Sequence, residues 1–134
     1  METLINIDVP DLEAAIDFYQ RATELKLGRR LFEGTVAELT GTSTRILLLE
    51  KEAGSSPVPG ASLSRDYRRH WTPVHLDFVV RDIEAATAKA VAAGGRLEGT
   101  IQTFAWGRQA CLSDPFGHGF CLLQWNGSGY DEAA

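Results

Sequence analysis

Apolar and polar residues alternate at the start of the chain and then change period. In "LINIDVP" Ile5, Ile7 and Val9 fall on one face and Leu4, Asn6 and Asp8 on the other, the two-residue repeat of a half-buried strand. From residue 12 the spacing becomes helical, with Leu12, Ala15, Ile16 and Tyr19 forming one apolar stripe. The same switch recurs further along: in "HLDFVVR" Leu76, Phe78 and Val80 oppose His75 and Asp77, and a stripe of Ile83, Ala86, Ala90 and Val91 follows. Asp11 and Asp82 stand where a helix N-cap belongs, acidic Glu13 and Glu84 fall in the first turns, and "AAGG" at 92–95 supplies a glycine stop. Strand-like runs follow each helix, near 29–33, 35–40 and 44–50 in the first half and near 99–104, 108–113 and 119–125 in the second. Gly34, "TGTS" and "DPFGHG" supply the turns between them.

These segments make the chain an internal repeat. "DLEAA" at 11–15 returns as "DIEAA" at 82–86, and each half reads β-α-β-β-β. The expected organisation is one α+β domain over 1–134: module 1 over about 1–50, a linker over 51–70, module 2 over about 71–126 and a tail over 127–134. The linker is rich in Gly, Ser and Pro and lacks apolar periodicity. Each module alone leaves an open sheet edge, which argues for a homodimer, with exchange of modules between chains as one form of it.

Composition narrows the function classes. With 134 residues, 44% hydrophobic and 23% charged, the chain has the make-up of an ordinary globular domain, and its net charge of -5 does not suit nucleic acid. The short basic cluster "RDYRR" at 65–69 reads as a solvated loop. No apolar run reaches the ~20 residues of a membrane helix. The N-terminus lacks the basic and apolar regions of a secretory signal, and two cysteines without CxxC spacing point to a reducing cytoplasm.

The paired modules, the opening "H-x-x-x-x-V-x-D-[LI]-E" from His75 to Glu84, and the closing "W-G-R" at 106–108 with "D-P-F-G-H" at 114–118 resemble the vicinal oxygen chelate superfamily. This is the group of glyoxalase I, extradiol dioxygenases and the fosfomycin and bleomycin resistance proteins. The resemblance implies two half-open sheets forming a cup, a mixed sheet with the helices on its outer face. It also implies metal ligands on the first and last strands of each module. Those positions fall on His75 and Cys121 in module 2, and on Leu4 and Leu48 in module 1. Only His75 is retained as a family ligand; leucine coordinates nothing, and hard divalent ions want carboxylate oxygen. No cofactor is therefore expected.

Strand parity and the resemblance together direct His75, Asp77, Asn6 and Asp8 toward the cup. Trp106, Arg108 and Trp125 are expected near its mouth, where aromatic faces suit a planar ligand and Arg108 suits a carboxylate or phosphate. Cys121 occupies a cup position. Cys111 and Cys121 flank the DPFG turn as near cross-strand neighbours, readable as two buried thiols or, with His75, as a soft-metal set. Phe104 reads as core, and His70 and His118 as exposed and unrelated. The expected function is binding of a small organic molecule, aromatic or not, without a conventional divalent metal. The alternative is a lyase or other metal-dependent enzyme of glyoxalase type with ligands rearranged around His75.

Overall fold

A computed structural model describes residues 1–134, and the chain divides into two compact units, Met1–Arg68 and Arg69–Ala134. The protein is α+β, with two helices and two mixed sheets, neither of them closed. No helix is long and apolar enough to cross a membrane.

The first unit runs β1 (Ile5–Val9), α1 (Leu12–Ala22), β2 (Lys26–Leu31), β3 (Val36–Thr40) and β4 (Ile46–Glu50). The sheet order is β1-β4-β3-β2, with β1 parallel to β4 and the other pairs antiparallel. Helix α1 begins where the sequence places it: Asp11 accepts a hydrogen bond from the Ala14 amide at 3.0 Å and satisfies one donor of the first turn. Its stripe of Leu12, Ala15, Ile16, Phe18 and Tyr19 is buried, as are Val9, Leu39 and Leu48.

The second unit repeats the plan with β5 (Leu76–Val79), α2 (Ile83–Ala92), β6 (Arg96–Leu97), β7 (Gln102–Phe104), β8 (Gly107–Ser113) and β9 (Gly119–Trp125). Strand β5 is parallel to β9, β8 is antiparallel to β9, and β6 and β7 both pair with β8. Asp82 accepts from the Ala85 amide at 3.0 Å, the counterpart of the Asp11 cap.

Several expectations need correction. The strand expected over 99–104 is only the three-residue β7, and a separate two-residue β6 precedes it; Gly99, with φ of 87°, lies in the break between them. Strand β2 begins at Lys26, three residues early, because "KLGRRL" is a mostly exposed edge strand whose polar face hides the alternation. It ends in a 3-10 turn, Phe32–Gly34, where Phe32 and Glu33 take φ of 51° and 56°. On α2 the buried residues are Ile83, Thr87 and Ala90, while Val91 is 46% exposed, so the inward face is turned away from the expected stripe.

The segment after β4 is also more structured than a solvated linker. The Arg65 side chain, only 15% exposed, donates from Nε to Asp8 at 2.7 Å and from Nη1 to the Ser56 carbonyl at 2.8 Å. The Tyr67 hydroxyl donates to the Lys51 carbonyl at 2.7 Å. The basic cluster is thus internally neutralised, with Arg65 on Asp8, Arg68 on Asp66 and Arg69 on Glu98.

Candidate functional site

One face of the second sheet collects the chemistry. Asp77 on β5 lies directly opposite Cys121 on β9, and Cys121 lies opposite Cys111 on β8. His75 precedes β5 with the parity of Asp77, and Gln109 shares the parity of Cys111, so all five side chains leave the same face. His75 Nε2 is 3.2 Å from Asp77 Oδ1, and the ligand atoms of His75, Asp77 and Cys121 all lie within 4.8 Å of one another. The two thiols are free and their sulfurs are 3.5 Å apart. The Gln109 amide donates to both, at 3.3 Å to Cys121 and 3.5 Å to Cys111. Burial pushes the Cys121 thiol up to about 12, Cys111 and Asp77 push the same way, and the Gln109 hydrogen bond opposes them. The His75 and Asp77 side chains keep 49% and 35% of their surface, so the face is polar at one end and reachable from solvent.

His75, Gln109, Cys111 and Cys121 of this face line a cleft of about 190 Å³ together with Trp71, Thr72, Leu112 and Phe120; Asp77 lies outside it. Arg69 and Glu98 form part of its lining and bond each other at 2.8 and 2.9 Å, which holds the Glu98 carboxyl below its usual value. Gly119 makes room for that guanidinium: a Cβ there would come within 2.6 Å of Arg69 Nη2.

The other expected site residues go elsewhere. Arg108 is not in the cleft lining; it lies opposite Gln124, and both side chains reach the start of α2, where Arg108 Nη1 donates to Glu84 at 2.8 Å and Gln124 accepts from the Ile83 amide at 2.8 Å. Its anion-clamping capacity is taken by Glu84, whose carboxyl it holds below the usual value. Trp106 and Trp125 sit at the opposite end of the β8–β9 pair from the DPFG turn. There Trp106 stacks on Phe104 at 5.1 Å, and Tyr130 meets Trp106 and Trp125 edge-on at 5.2 and 4.7 Å. Phe104 is 41% exposed rather than core.

Asn6 and Asp8 belong to the first unit, Asn6 exposed and Asp8 engaged by Arg65. Register also corrects the Leu48 assignment. Asn6 pairs with Leu47 as Asp77 pairs with Cys121, so Leu47 is the counterpart of Cys121, and Leu48 is a fully buried core residue. By the same register Glu38 is the counterpart of Cys111. Glu38 is 8% exposed and bonded by Arg29 at 3.1 and 3.2 Å, chiefly for which reason its carboxyl lies below the usual range despite burial.

A family-implied hard divalent ion does not fit these residues. The first-unit positions Leu4 and Leu47 carry no donor atom, and the last-strand carboxylate of the second unit is replaced by Cys121. Sequence reasoning missed Gln109, whose parity with Cys111 was the available signal. It also missed Trp71, Arg69 and Glu98, which no periodicity marks.

The chain's relatives agree with this fold. The glyoxalase-like domain profile matches residues 4–123, so the chain belongs to the glyoxalase-like family, within the vicinal oxygen chelate superfamily. An uncharacterized protein of Mycobacterium bovis is 30% identical over 126 residues, covering 87% of this chain and 78% of its own. Among solved structures, the fosfomycin resistance protein FosX of Listeria monocytogenes superposes with a TM-score of 0.73 at 17% identity, over 100% of this chain and 98% of its own. A glyoxalase/bleomycin resistance protein/dioxygenase family enzyme of Burkholderia phytofirmans gives 0.70 at 20% identity, over 92% and 97%. At these identities the structural likenesses speak to fold, and the chemistry has to be read from the site.

Proposed function

We propose that the protein binds a small organic molecule in the cleft of its second unit, and does so without a hard divalent ion. The observation that carries this reading is the meeting, in one cleft, of polar groups from His75 and Gln109 with the flat apolar face of Trp71, while Asp77 bonds His75 from beside the cleft. An imidazole beside a carboxylate donates at one nitrogen and accepts at the other, which suits a carbonyl or hydroxyl of the ligand. The Gln109 amide adds a donor, and Trp71 a flat face. At about 190 Å³ the cleft is smaller than the ~300–1,000 Å³ of sites for drug-sized ligands, so the ligand is compact. The reading further places the protein in the cytoplasm as a homodimer; the free thiols and the exposed Trp71 and Val74, at 80% and 79%, are in keeping with it.

The test is calorimetry of the metal-free chain against a library of small hydroxyl- and carbonyl-bearing aromatic and aliphatic compounds, repeated with His75→Ala. Because His75 is half exposed, truncation should change stability by no more than about 0.5 kcal/mol while weakening the hits at least tenfold. Survival of every hit, together with a loss of several kcal/mol of stability, would make His75 a structural residue and overturn the proposal.

A further inference from the structure

We propose that Cys111, Cys121, His75 and Asp77 form a binding site for one thiophilic divalent cation of the zinc class, contained within the second unit. The site goes beyond the organic-ligand reading and does not depend on it.

The strand register brings the sulfurs together. The Cys111 carbonyl accepts from the Glu98 amide at 2.8 Å, so its peptide groups point away from β9. Leu123, two residues from Cys121, uses its carbonyl to accept from the Val80 amide at 2.7 Å, so the peptide groups of that parity on β9 point away from β8. Cys111 and Cys121 are therefore a directly opposed, non-hydrogen-bonded pair, the kind in which side chains come closest. Cys121 is in turn opposite Asp77, and His75 follows by parity, so one sulfur, one nitrogen and one carboxylate meet within 4.8 Å, with the Cys111 sulfur beside that of Cys121.

The spacings suit a tetrahedral ion. Two sulfurs each ~2.3 Å from a zinc ion stand about 3.8 Å apart, and a nitrogen and an oxygen at ~2.0–2.1 Å stand about 3.3 Å apart. The observed separations are 3.5 Å between the sulfurs and 3.2 Å between His75 Nε2 and Asp77 Oδ1. The ligand atoms of His75, Asp77 and Cys121 lie within 4.8 Å of one another, and the Cys111 sulfur, 3.5 Å from that of Cys121, is the fourth donor at the edge of this group. The Gln109 amide nitrogen lies 3.3 and 3.5 Å from the two sulfurs, so both sulfurs are accessible to one group on the same face of the sheet. The cleft and the half-exposed imidazole give an entry path. Sulfur supplies two of the four donors, which selects zinc or cadmium over magnesium or calcium. Binding exchanges two S–H bonds for two metal–sulfur bonds and releases two protons, with no change of oxidation state.

Full-length protein, reduced and freed of metal with a chelator that is then removed, is titrated with Cd²⁺ while the ultraviolet thiolate-to-metal charge-transfer band is followed. The expected result is a band saturating at one ion per chain. Cys121→Ser or Cys111→Ser should each lower its intensity by about half, the double variant should abolish it, and His75→Ala should weaken affinity at least tenfold with the band retained. Thermal melts check that each variant is folded. Absence of a band in the reduced wild type, or a band indifferent to both Cys121→Ser and His75→Ala, would overturn the proposal. The calorimetric screen uses metal-free protein, so failure here and failure of the organic-ligand reading are separately visible.

Discussion

Replacing either helix cap by alanine perturbs one hydrogen bond and one favourable charge. Asp11 and Asp82 each accept from the amide three residues on at 3.0 Å, and each carboxylate stands at the positive end of a helix. Loss of such a cap costs about 1 kcal/mol, and the exposed setting of both bonds argues for the middle of the usual range. With an unfolding entropy of roughly 2.1 cal/mol/K per residue, this is a fall of about 3–4 °C in Tm for each variant. The caps sit in different units and share no partner, so the double variant should lose about 2 kcal/mol. Asp→Asn keeps the accepting oxygen and should recover more than half of each loss. Urea denaturation followed by circular dichroism reads the five variants against wild type. A loss below about 0.3 kcal/mol in both alanine variants would refute the argument that these aspartates start the helices.

Other consequences are equally direct. Gly107→Ala places a Cβ 2.2 Å from the Gln124 carbonyl oxygen at φ of 154°, and should cost about 3 kcal/mol in urea midpoint analysis. Thr87→Val removes a buried hydroxyl that lacks a partner, and should raise stability by about 1 kcal/mol by differential scanning calorimetry. The carboxyl of Glu38 is lower in the folded chain than in the unfolded one, so its contribution is present above about pH 4.3 and is lost as pH falls through the folded value. The stability gap between wild type and Glu38→Gln should therefore be widest near neutrality and close below pH 4. Sedimentation at micromolar concentration should give a dimer mass; a monomer would remove the homodimer from the account.

Local patterns carried much of this structure into view. The change from two-residue to helical spacing, the two aspartate caps and the repeated "D-[LI]-E-A-A" mark both helices and the strands before them, because those features depend on neighbours in sequence. His75 and Asp77 were legible for the same reason, since parity within one strand settles which side chains share a face. Parity does not carry across a turn. Phe104 and Arg108 are separated by the β7–β8 turn, and Arg108 emerges on the side that reaches α2. Cross-strand register is a tertiary property, so the counterpart of Cys121 was placed one residue off, at the buried Leu48 instead of Leu47. Arg65 and Trp71 lie in a segment without periodicity, and only the packed chain shows one anchoring on Asp8 and the other walling the cleft.

The central claim is that the second-unit cleft is the binding site, and amide chemical-shift mapping tests it most directly. Uniformly labelled, metal-free protein is titrated with the strongest hit from the hydroxyl- and carbonyl-bearing library. The account predicts that the largest perturbations fall on residues 69–75, 109–112 and 119–121 and disappear in His75→Ala. Saturable perturbations confined to other residues, such as the aromatic cluster of Phe104, Trp106, Trp125 and Tyr130, would contradict it.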